Sequence, residues 1–189
     1  DEQIGLDYPL GGVAVEARHI AMPPAAGEPM ALQLSVANIP GGGSLQIHAP
    51  VVLQPLSVNA QIQLNDLALA PFAAAVRHVA PLTVRDGRLN HEGKVNVANS
   101  RIEARDVKLG LRKLEARDET VKPGVDLSIG SLTLEADRLA PDATPTTFAL
   151  QADGIQKRGT LALKAAIVTQ PLSVKTSVNL ANFDAASLA

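Results

Sequence analysis

The sequence has no cysteine and no tryptophan, and aromatic residues make up only 2% of its 189 positions. Without cysteine there is no disulfide framework and no thiolate metal site, a condition that both the cytosol and the bacterial periplasm accept. With one tyrosine and three phenylalanines, burial cannot lean on large rings as it does in most cores. Whatever surface the valines, leucines, isoleucines and alanines make must be aliphatic and smooth. No stretch approaches the roughly 20 apolar residues that span a bilayer, and no signal peptide is visible at Asp1. Net charge is also small, at −2, with Lys and Arg spread along the chain, which argues against the basic footprint of a nucleic-acid binder.

What is present is a long-period repeat. Gln54-Pro55-Leu56-Ser57-Val58 returns as Gln170-Pro171-Leu172-Ser173-Val174, an offset of 116 residues. At the same offset Gly43-Ser44-Leu45-Gln46-Ile47 aligns with Gly159-Thr160-Leu161-Ala162-Leu163, and Leu64-Asn65-Asp66-Leu67-Ala68 with Leu180-Ala181-Asn182-Phe183-Asp184. Self-similarity of this length implies one supersecondary unit stacked on copies of itself. The second copy stops at Ala189 in mid-unit. The expectation is that 1–189 is a single repetitive fragment of a longer protein.

Most segments alternate apolar and polar residues, the mark of strands with one buried face. Val58, Ala60, Ile62 and Leu64 face one way, and Asn59, Gln61, Gln63 and Asn65 the other. Leu45, Ile47, Ala49, Val51 and Leu53 form a second row in step with the first. Leu32, Leu34 and Val36 form a third, copied as Phe148, Leu150 and Ala152. The alternation slips by one residue at Gly11-Gly12, between Leu6-Tyr8-Leu10 and Val13-Val15-Ala17. It slips again at Gly130, between Val125-Leu127-Ile129 and Leu132-Leu134-Ala136. A slip at glycine predicts a β-bulge, which bends and twists a strand; repeated in each copy, such bends would curve a sheet. Gly41-Gly42-Gly43 after Pro40 reads as a turn, and Pro23, Pro24, Pro29, Pro141 and Pro145 mark short loops.

Two segments depart from the pattern. Asp66 to His78 carries Pro71, suited to a first helical turn, followed by alanines. A short helix is expected over about 70–79, ending before Pro81, with Leu69, Phe72 and Val76 on one face. Arg101 to Glu119 is ambiguous. Ile102, Ala104, Val107, Leu109 and Leu111 fit a bulged strand, whereas Val107, Leu111 and Leu114 fit a helical stripe; Gly110 and the neighbouring strands favour β. The whole amounts to about ten strands of ordinary length. The fold class expected is mainly β, a curved, repeat-built antiparallel sheet forming an open groove, with one short α-helix.

Catalytic chemistry is hard to find. His19, His48, His78 and His91 lie at no metal-ligand spacing from one another. His91 is in phase with Leu89, Val95 and Val97, so it points toward the apolar face, and a partly buried histidine with a backbone partner is the plain reading. No G-x-S-x-G or P-loop occurs, and Asp106, Asp118 and Glu119 sit in charged, solvated stretches. No enzyme activity, metal or cofactor is expected.

The informative feature is the row of apolar side chains running from strand to strand. The residues expected to line it are Leu45, Ile47, Val51, Leu53, Val58, Ala60, Ile62 and Leu64, then Leu89, Val95, Val97, Ile102 and Ala104. If another layer covers the row, it is a core. If nothing does, it is an apolar trough wider than a monomer normally leaves open. A helix over 70–79 is too short to cover it, and the sheet can either close on itself or curl into a groove.

Several motifs, in their order, resemble a known family. They are Pro55-Leu56-Ser57-Val58, the run Leu64 to Phe72, Asp86-Gly87-Arg88-Leu89 and Ser100-Arg101-Ile102-Glu103-Ala104. They resemble the AsmA-like envelope proteins of Gram-negative bacteria, in the branch known as domain of unknown function 748. The likeness covers 43–111 well and 159–189 more weakly. It departs inside the helix, where the family usually has an aromatic residue and this chain has Ala73-Ala74-Ala75. The resemblance implies a relative of TamB-like and YdbH-like repeating-β-groove, bridge-like lipid-transfer proteins. It further implies the periplasm, as part of an inner-membrane-anchored protein, and phospholipid acyl chains as ligand. The role implied is phospholipid transfer between the two membranes or outer-membrane homeostasis. The alternative is a non-catalytic structural or assembly module that docks other envelope proteins.

Overall fold

The computed structural model describes residues 11–20, 29–99, 101–140, 144–169 and 172–183. Ten strands form one antiparallel sheet in simple sequence order. They are β1 (Val13–Arg18), β2 (Met30–Ala37), β3 (Ser44–Leu53), β4 (Leu56–Ala68), β5 (Leu82–Ala98), β6 (Arg101–Asp118), β7 (Val125–Leu139), β8 (Thr146–Ile155), β9 (Gly159–Thr169) and β10 (Leu172–Ala181). β1 and β10 are the two edges, and the sheet does not close into a barrel. The one helical excursion joins β4 to β5: a 3-10 turn, Ala70–Phe72, with Pro71 in its first positions, continues as α1 (Ala73–Val79). Strand, open sheet and helix all match the fold class expected from the sequence.

The pairing follows the repeat. Ser44 pairs with Asn65, and adding 116 to each gives Thr160 and Ala181, which also pair. Met30 with Val51 becomes Thr146 with Ile167 in the same way. Asp66 and Asn182, again 116 apart, both take positive φ, 52° and 57°. The first strand of each set is displaced. Val36 pairs with Val13, but its counterpart Ala152 pairs with Leu132, 119 residues on from Val13. Gly11 and Gly130 are separated by that same 119 residues, so the glycine slip travels with the strand. The slip of face expected at Gly130 is present, since Ile129 and Leu132, three apart, pair with Leu114 and Leu111 on one face, but it is no bulge against β6: Gly130 stands opposite the Lys113 bend and the register between the two strands does not shift. The residues before Gly11 lie outside the described ones.

Further bends occur at residues that are not glycine. In β4 the register skips between Leu64 and Leu67, around Asp66. In β6, Asp106 and Lys113 have φ of 52° and 53°, and the pairing with β5 shifts on either side of Leu109. Each extra residue keeps the following apolar side chain on the same face despite the odd spacing. This resolves 101–119. Val107, Leu111 and Leu114 imitate a helical stripe because a bulge at Lys113 turns a two-residue step into a three-residue one. The segment is a bulged strand of 18 residues. β4 likewise continues through Asp66 to Ala68, where the sequence alone places the end of the alternation.

Several small residues of the apolar side are closely hemmed in by their neighbours. On that side Ala116, Ala136 and Ala152 are 2%, 5% and 2% exposed, although no second layer covers them among the described residues. Ala162, on the other side, is exposed. The core is thin: it holds only Val36, Val51, Ala68, Val84, Ala116, Ala136 and Ala152 among buried apolar residues, with no large side chain fully buried.

One turn is tightly specified. Gly43 has φ of 112°, and a Cβ there would stand 2.9 Å from the Asn65 carbonyl oxygen and 3.0 Å from that of Asp66. Backbone cannot give way cheaply, so Gly43→Ala is expected to cost about 1–3 kcal/mol in denaturant unfolding. At the Lys113 bulge the opposite holds. Lys113→Gly should be neutral or stabilising, and Lys113→Val should destabilise by about 1–2 kcal/mol.

Candidate functional site: an uncovered aliphatic face

Direct antiparallel partners lie on the same face of a sheet, so register alone builds the site. Val13 of β1 pairs with Val36, which pairs with Leu45, which pairs with Leu64. Leu64 pairs with His91, and His91 with Leu109. From Leu109 the ladder passes to Leu134, Leu150, Leu163 and Val178. It crosses all ten strands, and every member but His91 is aliphatic. At about 4.8 Å per inter-strand step it runs roughly 43 Å. A parallel row starts at Val15 and continues through Leu34, Ile47 and Ile62, opposite Gly93.

All thirteen residues expected to line the groove lie on this face. Leu45 and Leu64 are in the central ladder, Ile47 and Ile62 in the row beside it, and Leu89 in the row on its other side, paired with Leu67 and Leu111. Val51, Val58, Val97 and Ile102 form one further row, and Ala60, Val95 and Ala104 another. Most are half-buried, but Leu53 and Ile102, at the strand ends, are 45% and 61% exposed. They form a rim rather than a floor.

The sequence-based lining stops at Ala104, half-way across the sheet. The structure continues it through Leu109, Leu111, Leu132, Leu134, Leu150, Leu163 and Val178. The signal for this extension lies in the sequence, in the 116-residue offset and in the bulged phase of β6.

The opposite face is polar in the alternate ladders. Glu16, Gln33, His48, Gln61, Lys94, Arg105 and Arg138 are successive partners. Ion pairs tie this side together, among them Lys108–Glu135 at 3.2 Å and Lys94–Asp106 at 2.8 Å. Such exposed pairs are worth about 0–1 kcal/mol each. The more enclosed depressions also lie here. One, of about 660 Å³, sits among Lys108, Glu135, Thr147, Ala149, Lys164 and Ser177. Another, of about 470 Å³, is lined by His48, Asn59, Lys94, Glu103 and Arg105. The first is a gap between long side chains with Ala149 and Ala166 among its lining. It carries three lysines against two aspartates and a glutamate, so its formal charges cancel. The apolar face, broader and less enclosed, is the stronger candidate.

At the helical end, Leu69 donates its N–H to the Gly87 carbonyl at 2.9 Å. A Cβ on Gly87 would meet Leu69, Leu111 and Leu114, so this corner of the apolar face is closed by Leu69 where the chain enters the helix. The helix contacts β5. It leaves the remainder of the ladder uncovered.

No group of three or more His, Cys, Asp or Glu that could hold a metal occurs among the described residues. Comparison with family models, curated proteins and solved structures finds no match for the chain.

The clearest ionic knot on the polar face is Glu103, which accepts from Arg105 Nε at 2.6 Å and Arg138 Nε at 2.7 Å. The Arg105 hydrogen bond first, then that of Arg138, hold its carboxyl below the usual range. As pH falls, the unfolded chain therefore takes up this proton before the folded one. The contribution is present above the ordinary glutamate value, about 4.3, and is lost as pH drops through the lowered one. Thermal unfolding across the acid range should show Glu103→Gln with a shallower loss of stability than the parent protein.

Proposed function

We propose that this chain is a hydrocarbon-binding groove module, through which phospholipid acyl chains lie along or move over the aliphatic ladder. The observation that carries the reading is the ladder itself: ten strands in register, one side aliphatic, and no second layer over it among the described residues. A monomeric protein does not normally leave so large an apolar surface to water. Each methylene buried against such a wall gains about 0.8 kcal/mol. The roughly 43 Å of ladder exceeds the ~15 Å half-thickness of a bilayer's hydrocarbon core, so more than one acyl tail fits end to end. An aliphatic wall with few aromatic rings offers no fixed pocket and suits a chain that slides.

The resemblance to AsmA-like envelope proteins adds the setting. On that basis we place the module in the periplasm of a Gram-negative bacterium, within a longer inner-membrane-anchored protein, serving phospholipid transfer or outer-membrane homeostasis. No described helix is long and apolar enough to cross a membrane. A second reading, a structural module that docks other envelope proteins, is favoured by the β10 edge. Leu172, Val174, Val178 and Leu180 are 54–78% exposed there, and an unpaired strand edge is a template for another chain.

Mass spectrometry of the purified protein should find co-purifying phospholipid. Leu64→Asp and Leu134→Asp, which put charge on the floor of an open face, should each remove most of it while the fold survives. Gln61→Asp, on the polar face, should leave it in place. Lipid-free protein that also ignores a fluorescent fatty acid, yet captures envelope proteins, would favour the docking module instead.

A further inference from the structure

His91 is the single ionisable member of the central ladder, and it lies half-way across the sheet. Its partners on either side are Leu64 and Leu109. β4 also presents Ile62 and Leu67 on this face, and β6 presents Val107 and Leu111; none of them titrates. Along β5 the neighbours are Leu89 and Gly93, and a Cβ at Gly93 would stand 3.5 Å from His91 Cε1 and Nε2. The bare glycine lets the ring lie along the floor, with Nε2 at the level of the aliphatic wall. Glu92, Lys94 and Lys108 belong to the polar ladders of the other face. On α1, which packs against β5, Arg77 donates to Thr83 Oγ1 at 2.7 Å and His78 is exposed. Among the described residues the imidazole has neither a hydrogen-bond partner nor a facing carboxylate.

A hydrocarbon tail laid over this position strips water from the ring and leaves its N–H unpaired. The protein supplies no counter-ion to an imidazolium there, so among apolar ligands only one with an anionic head gains from the ring's charge. We propose that His91 is a binding subsite for the carboxylate of a long-chain fatty acid lying in the groove, an inference that rests on the hydrocarbon-groove reading. The imidazole N–H donates to a carboxylate oxygen, and protonation of the ring converts that bond into a charge-assisted one.

The test compares a fluorescent long-chain fatty acid with its own methyl ester, titrated into the protein at about pH 5.5 and at about pH 8, a span over which imidazoles as a class change charge. The parent protein should prefer the acid by at least about tenfold at the lower pH, in line with a hydrogen bond to a charged group, and lose most of that preference at the higher. His91→Leu, which completes the aliphatic ladder, should abolish the preference at both pH values while binding the ester at least as well. His91→Gln should keep a weaker preference that does not change with pH. An acid-to-ester ratio that is the same in the parent and in His91→Leu overturns the subsite and leaves the groove standing. Failure of all three proteins to bind either compound overturns the groove and the subsite together.

Discussion

A sheet one layer thick has no partner layer in which to hide its apolar side, and that constraint governs the molecule. Cohesion comes from backbone hydrogen bonds between neighbouring strands and from the rows of side chains that register brings face to face. A slip of one residue in any strand would turn its leucines to solvent and its glutamines inward. The ladder from Val13 to Val178 is therefore both the main source of apolar burial and the record of correct pairing. The thin core follows: small and β-branched residues are buried, while the larger leucines and isoleucines stay part-exposed because only one side of them is packed.

The bulges serve the same constraint. β5, β6 and β7 run to 17, 18 and 15 residues, well beyond the usual five or six. Strands of that length would splay the sheet into a long flat plate. In β6 the bends at Asp106 and Lys113 bracket Leu109, the ladder residue. The polar side answers with cross-strand ion pairs, individually weak, that discourage pairing in the wrong register. Together they give a sheet with one aliphatic face and one solvated, charged face.

Much of this is legible in the sequence, because period-two alternation reports directly which residues share a face. The ten strands, the helix over 70–79 and the common side of Leu45, Ile62, Val95 and Ala104 follow from it. His91 likewise falls in phase with Leu89, and the sheet places it in the ladder, but with no backbone partner for its ring. Less legible are bends at residues other than glycine. A glycine marks a slip openly, as at Gly130, whereas Asp66, Asp106 and Lys113 are ordinary strand-exterior residues until neighbouring strands force them into the left-handed region. That is why 101–119 also carries a helical stripe beside the favoured strand pattern, and why the lining inferred from the sequence ends near Ala104. The depressions of the polar face were also hidden, since they depend on short side chains such as Ala149 lying between long ones on adjacent strands.

The central claim is that hydrocarbon lies on the ladder. A phospholipid carrying a photoreactive group within its acyl chain, cross-linked to the protein and mapped by peptide mass spectrometry, tests it most directly. The account predicts adducts along the apolar face on several strands, at positions such as Leu45, Leu64, Leu109 and Leu134, and few on Gln61 or Lys108. Adducts concentrated on the polar depressions, or labelling no greater than that of an unfolded control, would contradict it.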